Sequence, residues 1–245
     1  MPTKSATRKP RLSKAGSSTK LTYVCFVLDE SGSMGSCRDA TIDGFNEQVN
    51  AVRQNAKSGG KTSVSLFRFG CPPDSLPREF YFDKPVSDLL GISRETYSPH
   101  GNTPMYDAIG LALTRLETLP QTDNTGFLVI VVSDGQENAS QEWTSGRLAE
   151  KVKALQDSGK WTFVYIGANQ DLTQVRETFG LHVGNMMGYD STVIGTQRMY
   201  DASVQNTASY FQNVRGMDST MTTMFNVAKP DVVVEKKIIT VRMRR

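Results

Sequence analysis

The feature that most constrains this chain is residues 21–33, LTYVCFVLDESGS, where an apolar and β-branched run stops abruptly at a carboxylate and two hydroxyls. A run of about eight such residues suits a strand buried on both faces, as in the middle of a parallel sheet. Such a strand delivers Asp29, Ser31 and Ser33 to one tight turn at its carboxyl end. In open α/β sheets, ligands bind at that edge. A fold built on this strand needs further apolar strands beside it and helices over both faces.

The rest of the sequence supplies both. Ile42, Phe45, Val49 and Val52 recur at three- and four-residue steps, which predicts a helix over 39–55. Residues 62–69 alternate as a strand that Cys71-Pro-Pro breaks, and 79–82 read as a short antiparallel edge strand. Pro104 suits the first turn of a helix over 105–116, with Met105, Ile109, Ala112, Leu113 and Leu116 on one face. A second fully apolar strand begins at Gly126 and ends at Asp134-Gly135. Then come a helix over 145–155, a strand over 161–166, a short helix over 172–179, a short strand over 181–183 and a longer helix over 195–214. Strands alternating with amphipathic helices predict βαβ units. The fold class is therefore α/β, a Rossmann-like doubly wound, mostly parallel sheet flanked by helices on both faces.

Charge divides the chain into three parts. Residues 1–20 hold six basic side chains and no acid, and 231–245 hold five basic and two acidic ones. With a total of +3, the body from 21 to 230 carries −6. Residues 1–20 read as a disordered basic arm, too poor in apolar surface to offset the entropy of ordering. Residues 21–214 form the folded domain, and 215–245 a C-terminal extension with a strand or hairpin near 231–241 and a basic end. The arm suits a nucleic acid or an acidic surface, through phosphate contacts sensitive to salt, or serves only solubility.

No apolar stretch approaches the ~20 residues that span a bilayer, so membrane insertion is not expected. The first twenty residues lack a signal-peptide core, which points to the cytoplasm. Three cysteines, Cys25, Cys37 and Cys71, fit a reducing compartment better than a disulfide framework. Cys25 reads as core. Cys37 and Cys71 follow strands near the opening turn, where a reactive or paired role is open to them.

Three segments send oxygen ligands to one edge of the sheet: Asp29, Ser31 and Ser33 from the first turn, Thr103 from the loop before the 105–116 helix, and Asp134 from the second apolar strand. Two carboxylates and three hydroxyls, without sulfur or imidazole, suit a hard cation, Mg²⁺, Mn²⁺ or Ca²⁺, rather than zinc or copper. Two carboxylates leave a divalent ion near neutrality and still electrophilic, ready for one more anionic oxygen. Singly, each residue has a plainer role as a cap or turn former. Glu30 is read as facing solvent, Glu137 and Asn138 as outer partners of Asp134, and Tyr106 and Asp107 as helix surface. His100 and His182 have no partner at metal-ligand spacing.

The segments DESGS at 29–33, GNTP at 101–104 and VSDG at 132–135 resemble a von Willebrand factor type A domain with its metal-ion-dependent adhesion site. The resemblance spans 21–214, and YIGANQD at 165–171 looks most like bacterial or viral members. It implies that Asp29, Ser31, Ser33, Thr103 and Asp134 bind the metal, Thr103 and Asp134 directly or through water. It also implies that an exposed Asp or Glu of a protein partner completes the coordination. The expected function is a non-catalytic, metal-dependent protein-binding module in the cytoplasm of a bacterial cell or a virus-infected host. The alternative is a structural or assembly protein working through its basic tails. An enzyme is not expected. A phosphatase of the haloacid-dehalogenase type needs a carboxylate where Ser31 stands, and the chain has no Walker A loop and no G-x-S-x-G elbow.

Overall fold

The computed structural model describes residues 20–56, 60–168, 172–181, 185–190 and 192–215. The opening run forms β1 (Leu21–Asp29), and a 3-10 turn (Gly32–Cys37) leads into α1 (Arg38–Ala56). Then follow β2 (Lys61–Phe69), β3 (Arg78–Pro85), α2 (Met105–Leu116), β4 (Thr125–Ser133) and α3 (Ser145–Asp157). The described chain closes with β5 (Trp161–Ala168), α4 (Leu172–Phe179), β6 (Met186–Tyr189) and α5 (Val193–Arg215).

The six strands lie in the order β3-β2-β1-β4-β5-β6. All neighbouring pairs are parallel except β2–β3, so the expected antiparallel edge strand is there. β1 and β4 are adjacent, yet the chain leaves β1 toward β2 and leaves β4 toward β5. Doubly wound sheets open a crevice at such a reversal, beyond the carboxyl ends of the strands.

Strand alternation sorts the core into two layers. Tyr23, Cys25, Val27, Phe127, Val129 and Val131 face the layer that α2, α3 and α4 cover. Val24, Phe26, Leu28, Leu128, Ile130 and Val132 face the layer of α1 and α5. The apolar stripes read from the sequence on α1, α2 and α3 are all buried. At the amino edge of the sheet, Tyr23, Phe127 and Trp161 stack across β1, β4 and β5, with centroids 5.0 and 4.0 Å apart. Stacked aromatic pairs add about 0.5–1.5 kcal/mol beyond burial, which helps to pin the register.

β3 pairs irregularly. Its register with β2 shifts twice, between Val64 and Leu66 and between Leu66 and Phe67. Asp83, at φ 50°, donates its N–H to the Ser65 hydroxyl at 3.0 Å.

One expected element falls mostly outside the described residues. The strand expected over 181–183 is not found at Leu181, which is buried outside any strand, and 182–184 lie outside the described residues. The last strand among the described residues is Met186–Tyr189. The arm over 1–20, apart from Lys20, and residues 216–245 with the expected strand or hairpin also lie outside the described residues.

α1 meets α5 at a close approach. A Cβ on Gly44 would lie 2.1 Å from the buried Tyr200 ring. Gly44→Ala gains about 1 kcal/mol of helix propensity but overpacks a full core, which costs about 1–3 kcal/mol. The clash dominates. Urea unfolding should give a lower midpoint with an unchanged slope, and a midpoint at or above wild type would contradict this seating of α5.

Candidate metal centre

The crevice between β1 and β4 collects polar groups because alternation continues past the apolar runs. Asp29 falls on the α2 face after Cys25 and Val27, and Ser133 on the same face after Val129 and Val131. Parallel pairing aligns Leu28 with Val132, so Asp29 and Ser133 are neighbours. The Ser133 hydroxyl donates to Asp29 Oδ2 at 2.6 Å, and the Ser31 N–H donates to Oδ1 at 2.7 Å. Asp29 is fully buried. Burial pushes its carboxyl up to about 6; the bonds from Ser133 and Ser31 pull the other way, and Asp134 nearby adds to the rise.

The other candidate oxygens follow from this one. The Ser31 and Ser33 hydroxyls lie 3.2 Å apart, and Ser33 donates to Asp134 Oδ1 at 2.6 Å. A Cβ on Gly135 would lie 3.1 Å from Thr103 Oγ1 and 3.5 Å from Ser33 Oγ. Thr103, Ser33 and the Asp134–Gly135 turn therefore share one small space that glycine leaves open. Asp29, Ser31 and Thr103 are buried, Asp134 is partly covered, and Ser33 is exposed. The structure brings all five together at the mouth of the crevice. Among the described residues no three His, Cys, Asp or Glu side chains converge to hold a metal, so a cation here would depend on the hydroxyls. The donor set fits a hard divalent ion: all oxygen, with two carboxylates, and with Ser33 reaching solvent.

Each loop is fixed from beneath. Glu30, expected to face solvent, is 2% exposed. It continues the even-numbered alternation of β1 onto the α1 face, where Arg68 of β2 also points. The two side chains form an ion pair at 3.1 Å, and burial pushes the Glu30 carboxyl up and the Arg68 guanidinium down. Glu30 accepts the Ser98 N–H with its carboxylate and the His100 N–H with its carbonyl, the latter at 2.8 Å. Arg68 donates to Thr96 O, and the Tyr97 hydroxyl donates to Asp29 O at 2.7 Å. Four successive anchors thus hold the segment that leads to Thr103. A sequence signal existed: Arg68 is the lone charge in a run whose even members are core.

On the other side, Glu137 accepts from the N–H groups of Tyr106, Ala139 and Ser140 and from the Ser140 hydroxyl. Asp107, read as helix surface, accepts from the N–H groups of Gln141, Glu142 and Trp143. Asn138 Oδ1 accepts the Thr103 N–H at 2.9 Å, and its own N–H donates to Thr103 O at 3.2 Å. The loop after Asp134 and the start of α2 are therefore one tied unit. Gly70, at φ +78°, closes the floor, since a Cβ there would lie 2.5 Å from Ser31 N.

His100 is exposed, and His182 lies outside the described residues. The three cysteines are buried and free. Burial pushes the Cys71 thiol up, away from the thiolate that reactivity needs, and Cys37 lies in the apolar layer of α1.

A family model for the von Willebrand factor type A domain matches residues 24–187. Among solved structures, the chain resembles the vWF domain of the type V pili tip protein Mfa5 from Porphyromonas gingivalis, at TM-score 0.57 and 12% identity over 79% of this chain and 97% of that one. It resembles the pilus adhesin SpaC from Lactobacillus rhamnosus GG at 0.54 and 11%, over 79% and 31%. Proximal thread matrix protein 1 from the mussel byssus, with a zinc-occupied MIDAS motif, matches at 0.51 and 16%, over 78% and 46%. No curated protein matches the sequence significantly.

The buried pair gives a direct test. Arg68→Met leaves the Glu30 carboxylate without its cation, and removing one partner of such a pair costs about 3–5 kcal/mol. Adding Glu30→Gln to that variant should recover most of the loss in denaturant unfolding. A double variant no more stable than Arg68→Met would show that the pair is not coupled.

Proposed function

The chain belongs to the von Willebrand factor type A domain family, and on that premise we propose that it is a non-catalytic, metal-dependent protein-binding module. Asp29, Ser31, Ser33, Thr103 and Asp134 hold Mg²⁺ or Mn²⁺, and an acidic side chain of a protein partner takes the open side. The observation that carries this reading is the Ser33–Asp134 bond at 2.6 Å, which joins loops 101 residues apart beside the buried Asp29. These oxygens have each other as partners, and the Ser133 and Ser31 donors hold Asp29 in one orientation. A bound divalent ion supplies an electrophile for one external carboxylate oxygen. The mussel protein's zinc-occupied motif supports a metal at this place in the fold, and the all-oxygen donor set favours the harder ions here.

The residues divide the work. Asp29 is oriented by two donors before any ion arrives, so little ordering is left to do on binding. Ser31 and Ser33 contribute neutral oxygens and keep the charge count at two. Thr103 and Asp134 are positioned by the Asn138, Glu137 and Asp107 clamps, which set the width of the opening.

Wild-type protein should bind Mg²⁺ in calorimetry, and a hundredfold excess over Kd should stabilise it by about 2.7 kcal/mol. Asp29→Asn keeps an acceptor for the Ser31 N–H and offers an amide to Ser133, while it removes a buried charge. It should melt no lower than metal-free wild type and lose the Mg²⁺ response. Mg²⁺ affinity unchanged from wild type in both Asp29→Asn and Asp134→Ala would end the metal reading. Metal-dependent hydrolysis that disappears in Asp29→Asn would replace the binding module with an enzyme.

A further inference from the structure

The turn that carries Ser31 and Ser33 has little to fix its own shape. Residues 30–37 read ESGSMGSC, with glycine at 32 and 35, and a Cβ on Gly35 would meet nothing within 4 Å. Such a stretch has wide backbone freedom, so a single conformation needs bonds from outside it. Met34 and Cys37 anchor it from below in the apolar layer of α1, and the Gly32 N–H donates to Gly101 O at 3.2 Å.

One residue spans this turn from end to end. The Tyr97 hydroxyl donates to Asp29 O at 2.7 Å, just before the turn, and Tyr97 O accepts from Arg38 Nε at 2.9 Å, just after it. Tyr97 is fully buried, and a phenylalanine would fill the same apolar space, so what the tyrosine adds is the hydroxyl bond. Arg38 opens α1, where the helix dipole disfavours a cation, yet its guanidinium donates to two carbonyls, those of Tyr97 and Arg94. The span is itself held on both sides. Arg68 donates to Thr96 O, the Glu30 carboxylate accepts the Ser98 N–H, and the Tyr97 N–H donates to Ser93 O at 2.8 Å. The same segment leads on to Thr103, so one brace serves candidate oxygens from two loops.

We propose that Tyr97 and Arg38 are positioning residues for the candidate centre: they fix the span of the 30–37 turn, and through it the spacing of the Ser31 and Ser33 oxygens. The inference rests on the metal-binding reading and adds what lets the centre discriminate between ions by size. Mg²⁺ demands near-ideal octahedral geometry at about 2.0–2.1 Å, whereas Ca²⁺ takes roughly six to eight oxygens at about 2.3–2.6 Å in flexible arrangements. A braced turn suits the smaller ion. A slack one loses that fit while still meeting the looser demands of Ca²⁺.

The test uses the full chain, with Mn²⁺ binding read by electron paramagnetic resonance and Mg²⁺ and Ca²⁺ by their displacement of it. Tyr97→Phe removes the hydroxyl and keeps the ring, Arg38→Ala frees the other end of the span, and Arg38→Lys restores one donor. Mg²⁺ affinity should fall about tenfold or more in Tyr97→Phe and in Arg38→Ala, as it does when groups that orient metal ligands are lost. Ca²⁺ affinity should fall less than about threefold, and Arg38→Lys should recover part of the Mg²⁺ loss. Ile130→Val, a truncation in the buried core of β4, should lower the metal-free melting temperature by another route and keep the wild-type ratio of the two affinities. Should Tyr97→Phe or Arg38→Ala fail to fold, the other carries the comparison. An unchanged ratio in either folded variant overturns the proposal and leaves the metal reading intact. So does a ratio that moves as far in Ile130→Val. A wild-type chain that binds no Mn²⁺ removes the premise and the proposal together.

Discussion

Two parallel strands that lie in register but send their chains in opposite directions leave a gap that no backbone of the sheet can fill. β1 and β4 make such a pair, and the polar groups of the candidate centre gather at that gap. Asp29 and Ser133 reach it first because they are the last residues of their strands to keep the inward alternation, and their 2.6 Å bond holds the crevice at one width. The aromatic stack of Tyr23, Phe127 and Trp161 fixes the same strands at the opposite end. A one-residue slip would turn Asp29 out of the crevice and put an apolar neighbour in its place.

The ligand oxygens do not position themselves. They rest on a lower tier of carboxylates used as multiple acceptors. Glu30 with Arg68 holds the segment before Thr103, while Glu137 and Asp107 hold the loop after Asp134. Loops carry unpaired N–H groups that must find acceptors if they are to be rigid. Asp107 and Glu137 each meet several of these donors at once, so a short loop becomes as well ordered as a helix end. The floor of the site is a hydrogen-bonded framework and its rim is free to differ.

Much of this was legible in the residues. β1, α1, α2 and β4 announced themselves through period and through the residues that end them, Asp29, Ser31, Ser33 and Asp134 through their places just past apolar runs, and Thr103 through its place before the proline that opens α2. Glu30 was misread because it stands next to a turn of small polar residues, where a charge ordinarily faces water. The alternation of Val24, Phe26 and Leu28 already aimed position 30 inward, and Arg68 continued the matching series in β2. The clamps of Asp107 and Glu137 were illegible for a different reason: their partners are backbone N–H groups, which leave no mark in composition. β6 was not legible because Met-Met-Gly-Tyr carries little strand pattern of its own and pairs with β5 beside it.

The irregular pairing of β3 has a meaning for how many copies can share a small space. An outermost strand with straight pairing is a template onto which another chain can zip, copy after copy, into a fibre. Here the double register shift, the hydroxyl of Ser65 in place of a carbonyl partner, and the run Asp83-Lys84-Pro85 deny a second molecule a continuous ladder. Crowded copies of the chain therefore find no straight ladder to extend along this flank, and pairing through it is discouraged without any other element having to cover the edge.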